Sequence, residues 1–147
     1  MIKSSTILKY IGQYGFLVGA ISWIGGSAFD TVNGLLTGNW NTDEILARGA
    51  IGLIHLMAFL YFRNKFVVVE LGMQKVKIIK DKETIETTWQ NVESVNRFVF
   101  SSPPIYTIRV KDIEGYFIFW NSAINLLWYD DSELGELISQ KKKMLDI

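Results

Sequence analysis

Asp30, Arg48 and His55 are ionisable residues at the end of or within the long apolar runs of the first half of the chain. Such groups are costly in an apolar medium and often mark a proton path, a ligand or a docking face. Arg48 and His55 are seven residues apart and so share one helix face, with Gly52 and Phe59 beside them. His55 has the chemistry of a proton relay or a ligand, yet it is the only histidine and has no carboxylate at helical spacing. A neutral imidazole hydrogen-bonded to the neighbouring helix is the expected state, and the same face can instead meet a partner subunit. Arg48 lies near the end of its run, can reach the interface and can pair with Asp30 across a hairpin, which is a structural role.

No catalytic constellation accompanies these groups. The sequence has no phosphate-binding glycine loop, serine elbow, paired-histidine zinc motif or dinucleotide fingerprint. With no cysteine there is no disulfide, thiolate metal site or cysteine nucleophile. The formal net charge is zero, and residues 1–66 hold five Lys/Arg against three Asp/Glu, so neither half has the basic surplus of a nucleic-acid binder. The expectation is a protein that is not an enzyme, with no catalytic, cofactor or metal site and no nucleic-acid partner.

The elements that must position Asp30, Arg48 and His55 are two apolar runs, Tyr10–Phe29 without a charge and Ile45–Phe62. A helix rises about 1.5 Å per residue, so twenty residues match a hydrocarbon layer of about 30 Å. The pattern predicts a membrane hairpin over residues 1–65, with helices at about 7–36 and 44–64. A cleavable signal has an apolar core of about 7 to 15 residues, so the first run reads as retained even though Gly26-Ser27-Ala28 resembles a cleavage site. Lys3 and Lys9 precede the first helix and Arg63 and Lys65 follow the second, whereas Asp43 and Glu44 lie in the connection. By the positive-inside rule both termini face the cytoplasm, which predicts a multi-pass protein of the inner (cytoplasmic) membrane. Tyr10, Trp40 and Tyr61 fall where an interface holds amphipathic rings, Asn39–Asp43 is the turn, and Thr42 or Asp43 is the expected helix cap.

Gly12, Gly15, Gly19, Ser22 and Gly26 alternate at spacings of three and four, forming a stripe of small residues on the first helix. The stripe receives either the second helix of the same chain or a helix of a partner; two helices joined by a short loop favour the first.

Past Lys65 the period changes from helical to alternating. Phe66–Leu71, Lys75–Ile78, Glu83–Trp89, Val95–Phe100, Tyr106–Lys111 and Tyr116–Trp120 read as strands, with Ala123–Tyr129 as a last irregular one. Asp81-Lys82 and Asp112–Gly115 are the expected hairpin turns, the second relying on a left-handed Gly115. Ser101-Ser102-Pro103-Pro104 stops a strand. The chain closes with an amphipathic helix from about Ser132 to Leu145, capped by Asp130 or Asp131, with Leu134, Leu137, Ile138 and Leu145 as its apolar stripe. Lys141, Lys142 and Lys143 then form a solvated end. Residues 66–147 are thus expected to be an α+β or all-β domain.

Thr88-Trp89-Gln90-Asn91-Val92-Glu93-Ser94-Val95, the hairpin at Tyr106–Asp112 and the closing helix together resemble bacterial pleckstrin-homology-like (PH-like) domains over residues 66–145. In that family a tryptophan followed by two spaced aliphatics is typical, and two membrane helices often precede the domain. The resemblance implies a PH-like β-barrel closed by a C-terminal helix, serving as a binding or scaffolding module. Lys75, Lys77, Lys80 and Lys82 are offset by Glu70, Asp81, Glu83 and Glu86 and depart from the lipid-binding pattern, so no phosphoinositide site is carried across. The lipid bilayer and a protein partner are the expected ligands, the partner meeting the loop Ser101, Ser102, Pro103, Pro104 and Ile105 or an open strand edge. The alternatives are an accessory subunit of a larger membrane complex docked through its helices, and an oligomeric transport or proton-relay element using His55.

Overall fold

A computed structural model describes residues 1–81, 83–98, 101–121 and 130–146. The chain divides into two compact units, Met1–Tyr10 with Lys65–Ile147, and Ile11–Asn64. The first ten residues therefore belong with the C-terminal part, whereas the sequence pattern groups residues 1–65 together. The expected irregular strand Ala123–Tyr129 lies outside the described residues, as do Lys82, Val99 and Phe100.

The hairpin is built from α1 (Thr6–Thr37) and α2 (Thr42–Phe62). At 32 residues, α1 is about 48 Å long, more than a bilayer's hydrocarbon thickness. Asn41 caps α2, its side chain accepting from the Glu44 amide and donating to the Glu44 carboxylate at 2.9 Å. Thr42 and Asp43, the expected caps, are instead the first helical residues, because Asn41 is the last residue held outside helical geometry. Both helices are long and apolar enough to cross a membrane, with 6% of the most apolar stretch of each buried.

The second unit, the β unit, begins with a strand that is too short to leave a period in the sequence. β1 (Ile2–Lys3) pairs antiparallel with β2 (Val68–Leu71), which continues into β3 (Lys75–Lys80) and β4 (Glu83–Thr88), giving a sheet in the order β1-β2-β3-β4. One 3-10 turn at Trp89–Asn91 leads to β5 (Val92–Arg97), and β6 (Ile105–Val110) and β7 (Phe117–Trp120) complete a second antiparallel sheet. Glycine at 115 takes the expected left-handed conformation, φ +92°.

Two stitches join the sheets. The chain at 65–67 runs parallel to β7, with the Ile118 amide donating to the Lys65 carbonyl at 2.7 Å and the Val67 amide to the Ile118 carbonyl at 2.9 Å. Ser4 bonds Val69 twice, amide to carbonyl at 2.8 Å and hydroxyl oxygen from amide at 2.7 Å, while the Ser5 amide reaches the Trp120 carbonyl at 2.8 Å. Among the described residues no ladder joins β4 to β5, so the two sheets are open there and do not form the closed barrel that the sequence resemblance implies.

α3 (Glu133–Leu145) lays Leu134, Leu137 and Ile138 onto the core, which holds Val69, Leu71, Ile78, Ile108 and Phe119. Trp89, Val92 and Val95 are buried there together, and the Trp89 indole donates to the Gly72 carbonyl at 2.7 Å. Ser132, one residue past the expected Asp131, is the α3 cap. Lys141 is buried at 8% exposure, so the lysine triplet is not a uniformly solvated end; its first member lies on the α3 face that packs inward.

Candidate functional site

In the hairpin the charged residues Asp30, Glu44 and Arg48 are paired. Arg48 forms an ion pair with Asp30 across the hairpin, Nη1 to Oδ2 2.8 Å, and donates to Glu44 one turn before it on α2. Ser27 adds a second cross-link, its hydroxyl donating to the Ile45 carbonyl at 2.9 Å. The Asp30 and Ser27 contacts tie α1 to α2, and Arg48 sits between two carboxylates.

His55 differs from expectation in its partner. Its Nδ1 is 2.9 Å from the Ile51 carbonyl on its own helix, and because a carbonyl only accepts, Nδ1 carries the proton. The ring lies over Gly19, where an added Cβ would come within 2.6 Å of the imidazole. A neutral imidazole is the state expected, but the bond runs to its own helix and only the packing reaches α1.

The small-residue stripe splits in two. Gly19 and Gly26 face α2, meeting His55 and Arg48, whereas a Cβ at Gly15 would meet nothing within 4 Å and Ser22 is exposed, its hydroxyl bonded to the Val18 carbonyl at 2.9 Å. Gly12 is buried. Residues seven apart return nearly to one azimuth, so Gly12, Gly19 and Gly26 form one row and Gly15 and Ser22 a second row to one side of it, and a single partner meets Gly19 and Gly26 but not the second row. The tighter approach comes from α2: a Cβ at Gly52 would lie 2.5 Å from the Ile24 side chain and 3.0 Å from the Ile24 backbone nitrogen. The sequence reading places Gly52 beside Arg48 and His55 but does not mark it as the point of closest approach.

In the β unit, the loop at 101–105 is laced internally. The Ser101 hydroxyl donates to the Phe98 carbonyl at 3.0 Å and accepts from the Ile105 amide at 2.9 Å, and the buried Pro104 receives the Asn121 amide at 3.0 Å. Ser102 is exposed, and Pro103 and Ile105 are half-buried, so these three retain surface.

The densest polar centre is one that the sequence pattern does not mark. Asp130 accepts from the Tyr106 hydroxyl at 2.6 Å, from Asn121 at 2.8 and 3.0 Å, and from the Ser132 amide and hydroxyl. Burial pushes its carboxyl pKa up, but the donors from Ser132, Tyr106 and Asn121 outweigh that and hold it below the usual range. Burial, and then the Asp130 carboxylate, raise the Tyr106 phenol above its ordinary value. The cluster ties β6 to the start of α3, and Gly135 is required beneath it, since a Cβ there would lie 2.3 Å from the Asp130 carbonyl oxygen. No periodicity links Tyr106, Asn121, Asp130 and Ser132, so tertiary proximity alone reveals them.

Among the described residues no group of His, Asp or Glu has the arrangement of a metal site. In comparison with known proteins, no family model, no curated protein and no solved structure matches this chain.

Proposed function

We propose that this chain is a membrane-anchored, non-catalytic binding or scaffolding protein that presents a PH-like domain to a protein partner at the cytoplasmic face of an inner membrane. The observation that carries the reading is the contrast between the two units. The β unit has its own buried core, whereas Leu35, Leu36, Ile54 and Met57 of the hairpin are 65 to 81% exposed. Apolar surface of that extent requires lipid or another protein to cover it.

β1 supports the topology. It precedes the hairpin, β2 follows it, and the two are hydrogen-bonded, so both ends of the hairpin share one side of the membrane. The flanking Lys3, Lys9, Arg63 and Lys65 make that side the cytoplasm. The PH-like reading draws on the order of antiparallel strands ending in a packed helix, with Trp89, Val92 and Val95 in the core. Asp130 is occupied by donors from Tyr106, Asn121 and Ser132 that tie the fold together, which supports a structural role for it.

The test places a photo-crosslinking residue at Ser102 in the intact chain. The chain is expected to stay with membranes until detergent is added, and the probe to form an adduct with one protein. Release into the aqueous fraction without detergent would remove the anchor from the proposal, and a membrane-bound chain with no adduct would remove the loop as the contact.

The open space at Gly15 favours a second reading, an accessory subunit docked through α1. Gly15→Leu meets no atom of its own chain, so loss of a co-purifying partner in that variant would identify the helix as the docking element.

A further inference from the structure

The geometry points to the β3–β4 turn as the part of the β unit that lies in the headgroup layer of the bilayer, with the β2–β3 turn carried away from it. The inference rests on reading residues 11–64 as a membrane hairpin and adds which surface of the domain the lipid meets. The hairpin joins the β unit at two points, Tyr10 and Lys65. Contacts inside the β unit show which end of the β2–β3–β4 ladder lies near each.

At the first junction Lys9, its side chain 4% exposed, donates to Asp81 at 2.7 Å. Asp81 is the tip of the β3–β4 turn, in left-handed conformation at φ +47°. At the second junction Lys65 is three residues ahead of β2, whose first residue, Val68, pairs with Ile79, two residues before that same tip. The opposite end of the ladder is remote from both. There Leu71 pairs with Val76 and with Ile2, and the β2–β3 turn exposes Met73. Six residues of β3 separate the two ends, about 17 Å at ~3.4 Å per residue.

The occupant is the phospholipid headgroup layer. Chain continuity holds Lys9 and Lys65 at the edge of the apolar runs, the level at which lysines find phosphate and water. Two tyrosine rings sit with them: the Lys9 ammonium is 5.2 Å from the Tyr10 ring centre and the Lys65 ammonium 4.3 Å from that of Tyr116. Amphipathic rings beside cations are favoured at that depth.

The chain has no cysteine, so single-cysteine labelling of the intact protein reports one position at a time. A fluorescent label is placed at Glu83→Cys, at Gln74→Cys or at Leu53→Cys, all exposed positions, and the protein is reconstituted in phosphatidylcholine–phosphatidylglycerol vesicles carrying nitroxide lipids. A headgroup nitroxide is expected to quench Glu83→Cys several-fold more than Gln74→Cys, while an acyl-chain nitroxide quenches Leu53→Cys. Thr84→Cys, the next exposed position, repeats the first measurement should Glu83→Cys disturb the turn. Quenching at Leu53 with equal or greater quenching at Gln74 than at 83 and 84 overturns the orientation and leaves the anchor standing. No quenching at Leu53 overturns the hairpin reading and the orientation with it.

Discussion

Replacing Ser4 with alanine should destabilise a domain whose main sequence begins more than sixty residues later. The Ser4 side-chain oxygen accepts the Val69 amide at 2.7 Å across a separation of 65 residues, and Ser4 and Val69 are 3% and 0% exposed. Removing the oxygen leaves a buried amide without that acceptor and with no route to solvent, a loss of about 1–3 kcal/mol. The Ser4 backbone amide still reaches the Val69 carbonyl, so β1 is weakened and not lost. With a urea slope of about 1–3 kcal/mol per molar, the unfolding midpoint should fall by roughly 1 M. The assay is urea unfolding of the intact protein in mild detergent, followed by tryptophan fluorescence, to which the buried Trp89 contributes, with unchanged slope as the check on two-state behaviour. Ser5→Ala serves as comparison, because Ser5 caps α1 through the Leu8 amide at 3.2 Å and its loss costs about 0.5–2 kcal/mol. An unchanged midpoint for Ser4→Ala, with Asp130→Ala clearly destabilised in the same assay, would refute the assignment of the N-terminal residues to the β unit.

Gly52→Leu should separate the hairpin helices, since even a Cβ meets the Ile24 backbone nitrogen at 3.0 Å. A loss of about 1–3 kcal/mol or more, read as a lower thermal midpoint in detergent, is expected, and Gly15→Leu should leave that midpoint unchanged. Gly135→Ala should cost a similar amount in the β unit, because the obstruction at 2.3 Å is the Asp130 main chain and cannot rotate away. Asp130 titrates below its ordinary range when folded, so its contribution is complete above pH ~4 and is lost as pH falls further; Asp130→Asn should flatten the acid limb of a stability–pH curve. Tyr106 is raised when folded, so its contribution is complete below pH ~10 and is lost as pH rises, a decline that Tyr106→Phe should remove.

The parts legible in the sequence are those written in a repeating pattern. A charge-free and a charge-poor run mark α1 and α2 within two residues at each end, and alternation from Phe66 onward marks β2, β3, β4, β6 and β7, whereas β5 begins three residues before the expected Val95. Asp30 and Arg48 meet as their chemistry suggests. What escaped has no period. β1 is two residues long, too short for alternation to register, and its partner is set by a fold that returns after the hairpin. Trp89 reads as the end of a strand but starts a single 3-10 turn, and its indole donates to the Gly72 carbonyl. The Asp130 cluster gathers four polar residues from three segments, and although Asp130 reads as a helix cap, nothing in the pattern joins it to Tyr106 and Asn121. The small-residue stripe was half informative: it identifies the helix, but which glycines touch α2 depends on the azimuth of a single partner.

The pairing of Ile2 with Leu71 also constrains how the molecule is made. At a synthesis rate of about 5–20 residues per second, the opening strand waits some 4–14 seconds for its complement. Throughout that interval a hydrophobic hairpin emerges between them. A nascent chain whose leading end was drawn through the translocation pore would strand that end from its complement for good. On the membrane reading proposed above, the hairpin has to enter as a folded-back pair, with the residues before α1 kept on the side where β2 will fold.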